Sequence, residues 1–249
     1  MRVLGVSLAV LCVWMAITFL AGPPLTGEGD IVEAMTQGLA VHILIAGLVA
    51  TGFVLVMRWE GAGFGPPRPW SSLRVTWLHL VYIAGFLAIA AAGGAAPGGL
   101  AALVLINALL VGFSEEVMFR SVLFAGLRRV SALWPAVILS SVIFGAVHVL
   151  NGFVTGDFAS AGVQAVAAAM SGVGLAAIMV RTGSVWPGVA VHGLWDYGLF
   201  MMGQSTGVTA DPGPAGDIAA GAEAGAGVVG LVLVVPVFLF GLWLLRKER

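Results

Sequence analysis

Six side chains stand out in this sequence because of the surroundings in which they occur. They are Glu115, Glu116 and Arg120 in GFSEEVMFRSVLF, His148 in SSVIFGAVHVLNG, and His192 and Asp196 in VWPGVAVHGLWDYGLFMM. Each stretch is otherwise apolar enough to lie inside a bilayer. Insertion scales assign roughly 2.5–3.5 kcal/mol to a charged residue at mid-helix, so the four charged ones would cost on the order of 10 kcal/mol together. That is comparable to the whole stability of a typical fold. They must therefore face a bundle interior, pair with one another, or line a wet cavity.

Their spacing says how. Glu116 and Arg120 stand four positions apart, share a helix face and can form an ion pair. Glu115 is rotated by about 100° from Glu116 and is free to point into a cavity. Phe144 and His148 stand at the same i,i+4 spacing, with Asn151 following on roughly the same side. His192 and Asp196 repeat that spacing, which suits two ligands of one ion, or a carboxylate that orients an imidazole. Glu115, His148, His192 and Asp196 together are the ligand types of a catalytic zinc site with a position open for water. Such a metal would acidify the water and polarise a carbonyl. Without a metal, a glutamate in a dry cavity can itself act as general base. Both routes lead to hydrolysis of a peptide bond by an activated water. Ser114 adjoins the glutamates, but no His or Lys at helical spacing could activate it, which disfavours a serine nucleophile. His42 and His79 have no ionisable neighbour at helical spacing and read as packing or interface residues.

The elements that must position these groups follow from composition. The chain has 249 residues, 60% of them hydrophobic and only 9% charged, against about 25% charged in average soluble domains. It cannot cover itself with polar surface. A soluble globular protein and a disordered chain are both excluded on this ground, and the net charge of −1 offers nothing to nucleic acid. The single cysteine, Cys12, excludes an internal disulfide or a cysteine-cluster zinc site. The composition predicts an all-α, polytopic membrane helix bundle forming a single transmembrane domain over residues 1–249, with the motif-bearing core at 99–202.

A helix crossing the hydrocarbon needs about 20 mostly apolar residues. Eight segments qualify, at roughly 3–22, 39–57, 75–92, 99–126, 132–150, 162–180, 185–202 and 227–245. The first is longer than a signal-peptide apolar core and starts with a single basic residue, so it reads as a retained span. The longest connection, Gly203–Ala226, is rich in Gly, Ala and Pro and reads as a flexible extramembrane loop. With the N-terminus inside, ten of the eleven basic residues fall at inner ends and loops, and the outer loops carry only acidic charges. This split predicts an N-in, C-in orientation. The one basic residue left over is Arg120.

The three motif segments, taken in order, resemble the CPBP family of intramembrane metalloproteases. That family includes the CAAX prenyl endopeptidases and the Abi-like, bacteriocin-immunity-related proteins. Its pattern is EExxxR, FxxxH and HxxxN or HxxxD on successive membrane helices, met here by Glu115-Glu116-x-x-x-Arg120, Phe144-x-x-x-His148 and His192-x-x-x-Asp196. The resemblance implies a catalytic cavity inside the membrane. Glu115 would be the base, Glu116 would pair structurally with Arg120, and His148, His192 and Asp196 would position water, bind metal or stabilise the oxyanion. It implies a divalent metal, zinc first, held by Glu115, His148, His192 and Asp196. Asp196 stands where prenyl endopeptidases mostly carry Asn, and its added negative charge favours a cation, either a metal or a protonated His192.

The expected function is an intramembrane endopeptidase acting on membrane-associated, CAAX-like or prenylated, peptide or protein substrates. The expected partners are membrane lipid and that substrate. Arg outnumbers Lys ten to one, which with the abundant Ala and Gly suggests a GC-rich bacterial source and a bacterial plasma membrane location. Two other readings use the same residues: a catalytically inactive immunity or scaffold protein, and a proton- or cation-coupled transporter built on an Asp, Glu and His relay.

Overall fold

The computed structural model describes residues 2–23, 25–29, 31–94, 98–206 and 225–248, and every regular element among them is helical. In chain order these are α1 (Arg2–Leu20), α2 (Ile31–Thr36), α3 (Val41–Val56), a short 3₁₀ turn over Trp70–Thr76, α4 (Trp77–Ala92) and α5 (Gly98–Glu116). The α5 helix runs on without a break through a π-helical stretch, Val117–Phe124, into α6 (Ala125–Arg128). Then come α7 (Leu133–His148), α8 (Asn151–Thr155), α9 (Phe158–Thr182), α10 (Trp186–Thr206) and α11 (Gly225–Leu245).

Each of the eight segments expected to cross the bilayer is a helix, but the count of eight spans is not reproduced in full. Among the described residues, five helical stretches are long and apolar enough to cross a membrane: Arg2–Leu20, Trp70–Ala92, Gly98–Arg128, Leu133–Thr155 and Phe158–Thr182. Val41–Val56 and Gly230–Leu245 are apolar but shorter. The α10 helix is long enough, but His192, Asp196 and its glycines lower its hydropathy. The predicted loop at 203–226 is shorter than expected: α10 continues to Thr206 and α11 begins at Gly225. The remainder, 207–224, lies outside the described residues.

The bundle is apolar on the outside and polar at its centre. Leu48, Val56, Val81, Ile138, Val142 and Val166 stand exposed on helix surfaces, as a lipid-facing exterior requires. Glu116, Arg120 and Asp196 are completely buried. The main helix pairings are α5 with α10, α7 with α9, α9 with α11, and α4 with α10, while α1 lies against α3 and the π-helical stretch.

Small residues let these helices approach closely, as is usual where packing in lipid has no hydrophobic driving force. A Cβ on Gly112 of α5 would lie 2.7 Å from the backbone nitrogen of Gly193 on α10, and one on Gly193 would lie 2.9 Å from the Ala108 carbonyl oxygen. No side chain fits between the two backbones at this crossing. It falls three residues before Glu115 and beside His192, so it sets the distance between the two motif helices that carry them.

Candidate active site

The site is assembled from three helix pairs: α5 with its π-helical extension, α7 with α8, and α9 with α10. Glu115 and Glu116 close α5, immediately before the i→i+5 turns begin. All eight residues of the π-helical stretch are buried, Arg120 among them. Irregular helical turns of this kind are frequent at functional sites.

Glu116 occupies the centre of a charged chain. Its Oε2 lies 3.1 Å from Nε of Arg120, and both side chains are fully buried. Its Oε1 lies 3.1 Å from Nδ1 of His192. The expected ion pair with Arg120 is present, and the same carboxylate also orients an imidazole from another helix. The i,i+4 contact expected between Asp196 and His192 is present at the other ring nitrogen, with Asp196 Oδ2 3.4 Å from His192 Nε2, and Glu115 Oε2 lies 3.6 Å from that same Nε2. The two adjacent glutamates therefore approach His192 from opposite sides of its ring. Glu115 is the one acidic group of the three that retains some exposure, at 15% of its side chain. It opens into a cavity of about 140 Å³ that His148 also lines.

His148 ends α7, and its Nδ1 lies 2.8 Å from the Phe144 carbonyl oxygen one turn earlier. An imidazole N–H donating there leaves Nε2 with its lone pair. His148 lies within electrostatic reach of both Glu115 and His192. Phe144 explains why an aromatic residue precedes it at this spacing. The Phe144 ring meets His148 edge-on at 4.9 Å between centroids, His192 at 5.9 Å and Phe119 at 4.8 Å, and the Arg120 guanidinium lies 4.9 Å from its centre. One buried ring thus supports both imidazoles and the cation.

Ser114, the alternative nucleophile, accepts a hydrogen bond from Trp14 Nε1 at 2.9 Å and is fully buried. This bond ties α1 to the site, and Trp14 and Thr18 form part of the cavity wall. His42, expected only to pack, lines the same cavity. His79 is buried and lines a second, small cavity shared with His192 and Trp195, so it too is closer to the site than its sequence context suggested. Gln164 of α9 lines the main cavity and carried no signal in the sequence, because a single glutamine in an apolar helix matches no motif.

The six motif residues converge from α5, its π-helical extension, α7 and α10. Among the described residues, no group of three or more His, Cys, Asp or Glu side chains is arranged to hold a metal ion. One nitrogen of His192 already meets Glu116, and the other faces two carboxylates.

Comparison with known proteins agrees with the motif reading. Residues 97–198 match the family model described as "Type II CAAX prenyl endopeptidase Rce1-like". This segment contains all six motif residues and supports a place in the CPBP group of CAAX proteases. No curated protein and no solved structure matches the chain.

Proposed function

We propose, on the premise that the chain belongs through residues 97–198 to the CPBP group of CAAX proteases, that it hydrolyses peptide bonds of membrane-associated substrates with a water activated by Glu115. One observation carries the reading. Glu115 and His192 Nε2 approach to 3.6 Å beside a cavity that His148 lines, inside a bundle whose exterior is apolar.

The geometry suggests a division of labour. Glu115 accepts a proton from water as the oxygen attacks the carbonyl carbon of the scissile bond. His148, with its Nδ1 held by the Phe144 carbonyl, accepts a hydrogen bond from that water through Nε2 and fixes its direction. His192 stands between carboxylates on both ring nitrogens and directs its Nε2–H at the oxygen that gains negative charge. The tetrahedral species collapses by breaking the carbon–nitrogen bond, and Glu115 returns its proton to the departing amine. Glu116, Arg120 and Asp196 are positioning residues: they hold His192 and balance charge where water cannot.

A divalent metal, implied by the family resemblance, would polarise the same carbonyl if bound. Substrate chemistry follows the cavity wall, which is mainly apolar: Phe19, Ile43, Val111, Val147 and Val154 surround the polar floor. This suits a peptide with apolar side chains, or one bearing a lipid. The balance of basic residues supports the N-in, C-in orientation in a bacterial plasma membrane.

The test is cleavage of quenched fluorescent CAAX peptides, prenylated and unprenylated, by the purified protein in lipid vesicles. Glu115→Ala should abolish cleavage, while Leu139→Ala, on the exposed face of α7, should retain it. Equal cleavage by both variants would overturn the proposal.

A further inference from the structure

The main cavity holds a second polar group besides its catalytic floor. Asn151, the first residue of α8 and one turn beyond His148, donates from Nδ2 to Oε1 of Gln164 on α9 at 2.8 Å. Both residues line the cavity that contains Glu115 and His148. Gln164 is only 2% exposed, and its Nε2 has no hydrogen-bond partner among the described residues.

A primary amide has one acceptor and two donor hydrogens. Here the acceptor is taken by Asn151, which also fixes which way the amide faces. The donors remain, buried and without a partner among the described residues, in a mainly apolar wall. Leaving such a group unmade is costly in a folded protein, so it marks a place where a partner is expected. The position is held firmly. A Cβ on Gly145 of α7 would press on Ala169 of α9 at 2.8 Å, and one on Gly172 of α9 would meet Ser141 of α7 at 3.1 Å. The two helices therefore lie almost backbone to backbone, which fixes the α9 backbone that carries Gln164 against α7.

We propose that Gln164, oriented by Asn151, is a substrate-binding residue whose Nε2 donates to a backbone carbonyl oxygen of the peptide, near the scissile bond. Val147 and Val154, which line the same cavity, take an apolar side chain of the peptide. An extended peptide seated here presents one carbonyl to Gln164 and another to the Glu115, His148 and His192 cluster. The amide thus sets the register of the chain without taking part in the reaction. This inference rests on the peptidase reading for its substrate class.

The experiment uses the full-length protein in lipid vesicles and one fluorescent CAAX peptide, read in two ways: cleavage kinetics, and equilibrium binding to the Glu115→Gln protein. Gln164→Leu removes the donors while keeping similar bulk. It should raise KM and the dissociation constant about three- to tenfold, the worth of one hydrogen bond, with kcat changed less than threefold. Asn151→Asp is the second variant, for use if Gln164→Leu fails to fold. An aspartate cannot donate to Oε1, so the glutamine turns and gives Nε2 to the carboxylate. The buried pair survives, but the donor no longer faces the peptide, and KM should rise as before.

Unchanged binding in both variants, or a loss confined to kcat, would overturn the subsite while leaving the peptidase reading intact. A wild-type protein that cleaves nothing, while Glu115→Gln protein binds the peptide in a Gln164-dependent way, would sink the peptidase reading and keep the subsite.

Discussion

Glu116 and His192 are 76 positions apart in the chain and meet at 3.1 Å, with Arg120 on the other oxygen of the same carboxylate at a like distance. This one contact joins an ion pair within a helix to an imidazole on another helix. It makes the local motif EExxxR and the distant motif HxxxD parts of one device, in which neither the pair nor the imidazole is correctly held alone.

Removing the central carboxylate should therefore damage fold and activity together. Glu116→Ala leaves Arg120 buried without its partner, a change that costs about 3–5 kcal/mol for pairs of this kind. A clear drop in thermal midpoint in detergent is expected. Replacing both partners by apolar residues, as in Glu116→Leu with Arg120→Met, should recover much of that stability, because no uncompensated charge remains. Cleavage should stay low in the double variant, since His192 still lacks its Nδ1 partner. Recovery of both properties together would show that the pair has no part in holding the imidazole.

Glu115→Gln separates catalysis from structure. The side chain borders the cavity and is the least buried of the three carboxylates around His192. Its loss should lower kcat by about 10²–10⁴-fold, the range expected for a general base, with little change in thermal midpoint. A cellular phenotype that survives this substitution would point instead to a scaffold or immunity role.

Gly112 and Gly193 offer a test of spacing. A methyl group on Gly112 would lie 2.7 Å from the Gly193 nitrogen, and backbone there cannot yield without moving a helix. Gly112→Ala should cost about 1–3 kcal/mol as an overpacking change. It should also reduce cleavage more than that stability loss explains, because α5 and α10 move apart and carry Glu115 away from His192. Crosslinking between cysteines placed on the two helices would report the separation directly. An unaltered crosslink yield with normal cleavage would show that the crossing does not set the site.

Phe144→Ala removes the ring against which both imidazoles and Arg120 rest. Loss of a buried phenylalanine costs about 3–5 kcal/mol. Phe144→Leu keeps most of the volume and should preserve the fold, yet lower kcat more than it changes KM. If Phe144→Leu retained full kcat, the ring would be a packing residue only.

Metal content distinguishes two forms of the same hydrolysis. Among the described residues no three ligating side chains are arranged for a metal, so cleavage should persist after exhaustive chelation. Stoichiometric zinc in the purified protein, lost in both His148→Ala and His192→Ala, would reverse that expectation and route the reaction through the ion.

Sequence alone was enough to single out Glu115, Glu116, Arg120, His148, His192 and Asp196 as one candidate group, and to place helices over all eight apolar segments. The physical reason is cost: a charge in an apolar helix is too expensive to occur without a task, and apolar length is a local property. The family pattern rests on the same residues. What depended on the tertiary structure was which groups meet. Spacing along a helix says which residues share a face, but the rotation and separation of two helices are set by packing between them, here by Gly112 against Gly193 and by Gly145 against Ala169. Those contacts turned Glu116 toward His192, brought Phe144 beneath both imidazoles and left Nε2 of the buried Gln164 without a partner among the described residues, and none of them follows from any single helix, because each is a relation between two.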